Sequence, residues 1–490
     1  MKSKNPHNPT QDEELDEPQY DPSFRYSLIV IACIVAVLLT GMIVLELPSS
    51  ITIFIAYIVT LVLALPITRS YRVIQNCAFD AIRQAQEAIF ILIGVGALLG
   101  TWMLAGTIPT LVDVGLQLVS PQYFLITALF LCSIVSIATG TAFGAIGTVG
   151  LALLVIANGA GIPAAPTAAA IVCGALFGDK LSPLSDTTNL TAAMARVNMI
   201  THIKHMLWTT VPAYVITALF FFLLDMRHHA GSVKLDSTAE MLATIEANFN
   251  VDLINLVPLI VVIVLLACRI PAFLALIFGA LSALPFAIWK QGHSFSDALV
   301  AIFDGTQTDT GNDAVDTLLS GGGIAEIVST VVVLILLAVA LGGVLGGTGI
   351  LRSILKRLKS ATKSSRRAIL TTLGLTLLGN IITAAQTTAI VATGTLMRPV
   401  YKKLKLHPKN LSRALEDSGT MTAFLVPWNT AAIFAVGVLG VGVAEYGPYA
   451  VFAYLTPIIS AIYALTGFTI AHLNSRSTTD LEPESKNSLT

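Results

Sequence analysis

Long apolar runs separated by short polar stretches dominate the chain. Runs of about 20 apolar residues have the length of a helix that crosses a bilayer. They predict spanning helices near 27–47, 49–68, 88–106, 166–195, 208–225, 251–268, 271–289, 327–348, 412–440 and 448–472. Two longer apolar stretches, 123–160 and 369–398, have room for two passes each. Both carry polar centres, TGTAFG at 139–144 and TAAQTT at 383–388. Residues 1–26 and 473–490 read as polar tails and 226–250 as a loop. The N-terminal tail lacks the short basic segment and immediate apolar core of a signal peptide.

Lys and Arg give these spans a direction, because the basic side of a membrane protein is the cytoplasmic side. Arg69, Arg72, Arg83, Arg196 and Lys204 mark inner loops, and the segments 352–367 and 398–413 hold 7 and 6 basic residues. The segments 107–122, 160–165 and 291–325 hold none. Both termini then lie inside and the 226–250 loop outside. One hairpin in each long stretch fits these signs, the first entering from outside and the second from inside. Two full helices per stretch keep the same parity, and the polar centres favour re-entrant hairpins.

The two halves resemble each other. Segments 136–150 and 380–394 align without gaps at an offset of 244, with 5 of 15 positions identical. The order of elements also recurs, first over 27–225 and again over 251–472, with opposite orientation by the charge argument. Inverted repeats whose discontinuous elements meet near the midplane are the signature of secondary transporters. The predicted fold class is an all-α polytopic membrane protein. It would be an inverted-repeat transporter with about ten spanning helices, two hairpins and two broken helices.

Composition removes the other classes. The 490 residues are 55% hydrophobic and only 12% charged, against about 25% charged in a soluble domain. An ordinary soluble enzyme, a disordered chain and a nucleic-acid binder are excluded. No Walker A motif, catalytic triad or zinc spacing stands out, so no cofactor is expected. The basic clusters at 352–367 and 398–413 are explained by topology and contact with anionic lipid.

Scarce charge makes the charges inside spans readable. The segment GDKLSPLSDTTN, 178–189, lies in the middle of the 166–195 span. Asp179 is roughly 20 Å deep there at 1.5 Å per residue, and intramembrane ionisable residues are functional by default. The bland alternative is a structural pair of Lys180 with Asp179 or Asp186. Pro183 donates no N–H, so it frees the carbonyl of Asp179 and breaks the helix around 179–186. Freed carbonyls, the two carboxylates and the hydroxyls of Ser182, Ser185, Thr187 and Thr188 would suit a hard cation such as Na⁺, with Asn189 adjoining. Pro427 does the same in EDSGTMTAFLVPWNT, 416–430. There Asn429-Thr430 falls one position short of the hairpin offset from Asp186-Thr187 and reads as its counterpart. Thr139, Thr141, Gln386, Thr387 and Thr388 mark the hairpin tips. Glu416 and Asp417 read either as lining an inner vestibule or as helix N-terminal carboxylates. His202 and His205 read as wetted loop histidines.

GALFGDKLSPLSDTTNL (174–190), followed by THIKHMLWTTVPA (201–213), resembles the NhaC family of bacterial Na⁺/H⁺ antiporters. GNDAVDTLLSGGGI (311–324) and the 416–430 region fit the same family, and the resemblance covers about 25–475. The wider superfamily carries re-entrant hairpins and Ser-Asn-Thr-like motifs around sodium. Ser185-Asp186-Thr187 and Trp428-Asn429-Thr430 resemble that motif, with Asp for Asn in the first and Trp for Ser in the second. The resemblance implies exchange of Na⁺, or Li⁺, for H⁺ at Asp179 and Asp186 in the bacterial inner membrane, by a homodimer. It equally covers exchangers of small organic acids such as malate and lactate, and amino-acid transporters. A carboxylate substrate would want Lys180, the one deep cation of the span.

Overall fold

The computed structural model describes residues 20–118, 121–228, 243–312, 315–316, 319–359 and 364–473. Most of the two predicted tails and of the predicted 226–250 loop lies outside the described residues. The described chain is helical, with isolated β-bridges such as Thr306 to Gly321 and Leu406 to His472. The first half contains α1 (Phe24–Leu39), α2 (Ser49–Thr68), α3 (Tyr71–Gln84), α4 (Gln86–Leu104), α5 (Thr107–Leu118), α6 (Phe124–Thr139) and α7 (Ala142–Gly159). It continues with α8 (Ala164–Leu181), α9 (Asp186–Ala195) and α10 (Met199–His228). The second half contains α11 (Leu253–Ala267), α12 (Ala272–Trp289), α13 (Phe295–Asp304), α14 (Ile324–Gly347), α15 (Ile350–Lys359), α16 (Ser365–Thr383) and α17 (Gln386–Lys403). It ends with α18 (Lys409–Ala423), α19 (Thr430–Leu439), α20 (Val443–Tyr449) and α21 (Val451–Thr466).

Seven described helices are long and apolar enough to cross a membrane, or eight if α19 and α20, bent by 93°, form one span. Four shorter apolar helices, α1, α6, α11 and α21, add to these. The chain is thus an all-α polytopic membrane protein. Apolar composition alone does not make such a fold, because every polar group at depth needs a partner. Threonine hydroxyls therefore bond back to the preceding turn, as Thr60 does to Ala56 O at 2.7 Å and Thr217 to Ala213 O at 2.8 Å. Pro48, Pro163 and Pro271 stand immediately before α2, α8 and α12, where their fixed φ suits a helix start.

The two long stretches each form two helices joined by a tight turn. Gly140 makes the first turn at φ 76°. Ala384 makes the second at φ 56°, a left-handed conformation that disfavours a Cβ. Inside α7 one wide π turn, Ile146–Gly150, interrupts the α geometry. The elements recur at one constant spacing, the offset that aligns the two polar centres in sequence. Thr139 and Thr383 end α6 and α16, and Gly140 and Ala384 are the left-handed residues. Ala142 and Gln386 start α7 and α17, and Asp186 and Thr430 start α9 and α19.

Packing brings α8 directly onto α6. A Cβ on Gly178 would collide with Ser136 Cβ and stand 2.5 Å from the Ile137 nitrogen. Small residues at such spacing let membrane helices meet backbone to backbone. In the second half α18 takes the corresponding place against α16. The broken helices cross over: α9 packs on α17 and α19 on α7. Each half thus completes the other.

Some expected loops are structured. Residues 107–118 form α5, and 291–325 contain α13 and a return to α4, where Gly323 N donates to Gly96 O at 2.9 Å. The predicted 88–106 helix is preceded by the amphipathic α3. A brief break at Ala85 joins the two.

Candidate functional site

The expected break in the 166–195 span occurs. Helix α8 ends at Leu181, and α9 starts at Asp186 with Ser185 as its cap, accepting from Thr188 N. Pro183 lies in the gap. Thr188 Oγ1 replaces the lost helical donor, bonding the carbonyls of Asp179 and Lys180 at 3.2 and 3.3 Å. Asn189 stitches the same gap by donating to Ser185 O at 2.7 Å and Pro183 O at 3.1 Å. Ser182 ties it to α6 by donating to Ile137 O at 3.0 Å. Asn189 and Ser182 shape the break and do not line the cavity it opens.

That cavity, about 100 Å³, lies where both tight turns, the α8–α9 break and the start of α4 converge. Asp179, Asp186 and Thr187 line it from the break. Thr141 comes from the first turn, Gln386 and Thr387 from the second, and Thr430 from the start of α19. The volume holds several waters at about 10–15 Å³ each. Ser185 Oγ donates to Asp179 Oδ1 at 2.9 Å and Thr187 Oγ1 to Asp179 Oδ2 at 3.1 Å. The backbone amide of Ala142, the first residue of α7, also bonds the Asp179 carboxylate. Asp179 is 6% exposed, so its carboxylate is held by protein donors with one open side toward the cavity.

A second polar layer lies behind the cavity. Glu416 accepts from Thr187, Thr191 and Thr420 at 3.2, 2.8 and 2.8 Å. Thr191 meets His202 Nε2 at 3.1 Å, and His202 Nδ1 meets Ser412 Oγ at 2.8 Å. Lys180 forms a fully buried ion pair with Asp417, which also accepts from Thr209 at 3.0 Å. The Arg413 guanidinium lies 3.9 Å from the other Asp417 oxygen.

Several expectations change. Lys180 pairs with neither Asp179 nor Asp186, because its side chain runs toward α18 and away from the cavity. Glu416 and Asp417 line no vestibule and do not sit at a helix start. They lie in the middle of α18 and are fully buried. His202 and His205 are buried inside α10, because that helix starts at Met199, well before the predicted span. Arg413, counted among loop charges, is fully buried. Thr139 donates within the first turn, to Thr141 O at 3.5 Å, and Thr388 lines a neighbouring cavity. Asn429 caps α19 by accepting from Ala431 N at 3.2 Å and donates to Asn380 O. By the constant spacing of the two halves, Asn429 corresponds to Ser185 and Thr430 to Asp186, one residue off the expected register. Pro427 lies in the α18–α19 gap as expected.

Sequence reasoning missed Glu87 and Gln84, which line the cavity from the α3–α4 junction. Glu87 stands one residue outside the predicted 88–106 span and reads there as a loop charge. The amphipathic run at 71–84, continuing into that span without Gly or Pro, is the signal that places it in a helix.

The comparisons agree with this architecture. A profile described as the Na⁺/H⁺ antiporter family matches residues 174–468, which hold both helix breaks and the second turn. The malate-2H⁺/Na⁺-lactate antiporter of Bacillus subtilis is 34% identical, covering 91% of this chain and 95% of the relative. The Na⁺/H⁺ antiporter NhaC of Alkalihalophilus pseudofirmus is 33% identical, over 91% and 96%. The arginine/ornithine antiporter ArcD of Halobacterium salinarum is 32% identical, over 92% and 94%. With a family match over more than half its length and relatives aligned almost end to end, the chain belongs to the Na⁺/H⁺ antiporter family.

Proposed function

We propose that this protein is a secondary transporter that exchanges Na⁺ for H⁺, with Asp179 and Asp186 binding Na⁺ when ionised and H⁺ when protonated. Competition for the same carboxylates is enough to couple the two ions. One observation carries the reading. Among the described residues, the cavity is lined by Asp179, Asp186, Glu87 and several hydroxyls, and by no Lys, Arg or His. Carboxylate and hydroxyl oxygens suit a hard cation. The constant offset between the halves supports two repeats, and the distribution of Lys and Arg supports their inversion across a bacterial inner membrane, with both termini cytoplasmic. Alternating access then follows from motion of the two turns and broken helices against the other helices.

The organic-acid reading rests on the malate/lactate relative. It wants a free cation in the site, and Lys180 is already held by Asp417. The test uses everted vesicles with a proton-gradient dye and additions of Na⁺, Li⁺, K⁺, malate, lactate or an amino acid. Dequenching by Na⁺ or Li⁺ alone is expected. A response that waits for an organic acid would replace the antiporter with the exchanger.

A further inference from the structure

Glu87, in the first turn of α4, faces Asp186 across the cavity within hydrogen-bonding reach. Two carboxylates this close repel unless something positive, a shared proton or a bound cation, lies between them. A third group points to what that is. Gln386, the first residue of α17, is nine-tenths buried and lines the same cavity, and its Oε1 has no hydrogen-bond partner. A buried amide oxygen left unpaired is costly in a native structure, and a cation satisfies it as well as a donor does.

This position is separate from the Asp179 carboxylate, whose oxygens are engaged by Ser185, Thr187 and the Ala142 amide. It draws one ligand from α4, one from the broken helix and one from the second turn. A cation there would tie α4 to α9 and α17, two helices with which it shares few direct contacts. We infer that Glu87, Asp186 and the Gln386 amide oxygen form a second binding position for a hard monovalent cation, so that each chain holds two Na⁺ ions.

The inference rests on Asp179 and Asp186 being transport carboxylates, and the experiment separates the two. Equilibrium binding of radioactive Na⁺ to the purified full-length protein in detergent counts the ions per chain. Two ions for the unaltered protein, one for Glu87→Gln, and a second ion regained at lower affinity by Glu87→Asp are expected. One ion for the unaltered protein, a count that needs no variant, overturns the inference. So does Glu87→Gln with an unchanged count. Asp179→Asn tests the underlying reading: if it leaves both ions bound with unchanged affinity, that reading fails, whatever Glu87 does.

Discussion

Lys180, in the last turn of α8, is neutralised by Asp417 in the middle of α18, and both side chains are fully shielded from solvent. The pair joins the broken helix of the first half to that of the second. Removing one member of a buried pair strands the other, at a cost of about 3–5 kcal/mol. Asp417→Asn should therefore lower the unfolding temperature sharply in detergent. The double variant Lys180→Met/Asp417→Leu should recover only part of that loss, since it removes the stranded ammonium but leaves the buried Arg413 guanidinium without the carboxylate beside it. Scanning fluorimetry on the three proteins checks the sign and the coupling. A double variant no better than Asp417→Asn would show that the pair is not the coupled unit.

Asp179→Asn keeps the shape of the side chain and can still accept from one of Ser185 and Thr187, while the other hydroxyl turns to accept from the new amide N–H, so the fold should survive. The charge that competes for Na⁺ and H⁺ is gone, so Na⁺-driven dequenching in everted vesicles should fall to background. Ser185→Ala is milder. It removes a donor to Asp179 and the cap of α9, each a change of about 1 kcal/mol. Exchange should persist with the half-saturating Na⁺ concentration raised by up to roughly tenfold, by the usual conversion of about 1.4 kcal/mol.

Close contact of α6 and α8 positions Asp179, so it can be tested one residue away. Any side chain at Gly178 meets the α6 backbone at Ile137 and Ser133 within 2.6 Å. Backbone cannot move aside as a flexible side-chain tip can. Gly178→Ala should cost about 1–3 kcal/mol, the range for overpacking a well-filled core, and Gly178→Val more. Thermal stability by fluorescence-detected size exclusion is the measurement, and an unchanged midpoint for Gly178→Val would mean that the helices are not in contact.

The spans, the two tight turns and the two breaks were legible because each leaves a direct mark. Apolar length marks a span, Pro183 and Pro427 mark breaks, and polar residues amid apolar ones mark the turns. Asp179 and Asp186 were legible because charge inside a span is rare. What the residues on one helix meet on another was not. Lys180 has two aspartates close in sequence, yet its partner is 237 positions away. His202 sits beside charged Lys204 and reads as wet, but helix α10 turns one face inward and buries it. Glu87 failed for a different reason: the apolar window began one residue too late to include it.

The register between the two halves makes the sharpest remaining prediction. Helix α9 starts at Asp186 and α19 at Thr430, which sets Thr430 opposite Asp186 and Asn429 opposite Ser185. Thr430 lines the cavity; Asn429 does not. Thr430→Asp therefore adds a carboxylate to a cavity that already holds three. Extra negative charge favours a bound cation, so the half-saturating Na⁺ concentration should fall by about tenfold, or roughly 1.4 kcal/mol. Turnover should fall with it, because a tighter ion leaves more slowly. Asn429→Asp adds the same charge one residue earlier, where the side chain caps α19. Asp caps a helix as well as Asn does, but in this fully buried position its second oxygen faces the Asn380 carbonyl, so this variant should lose stability while keeping its Na⁺ dependence. Sodium titrations of both variants in proteoliposomes decide the register. If Asn429→Asp shifts the Na⁺ dependence and Thr430→Asp does not, Asn429 is the true counterpart of Asp186 and the structural alignment of the two breaks is wrong.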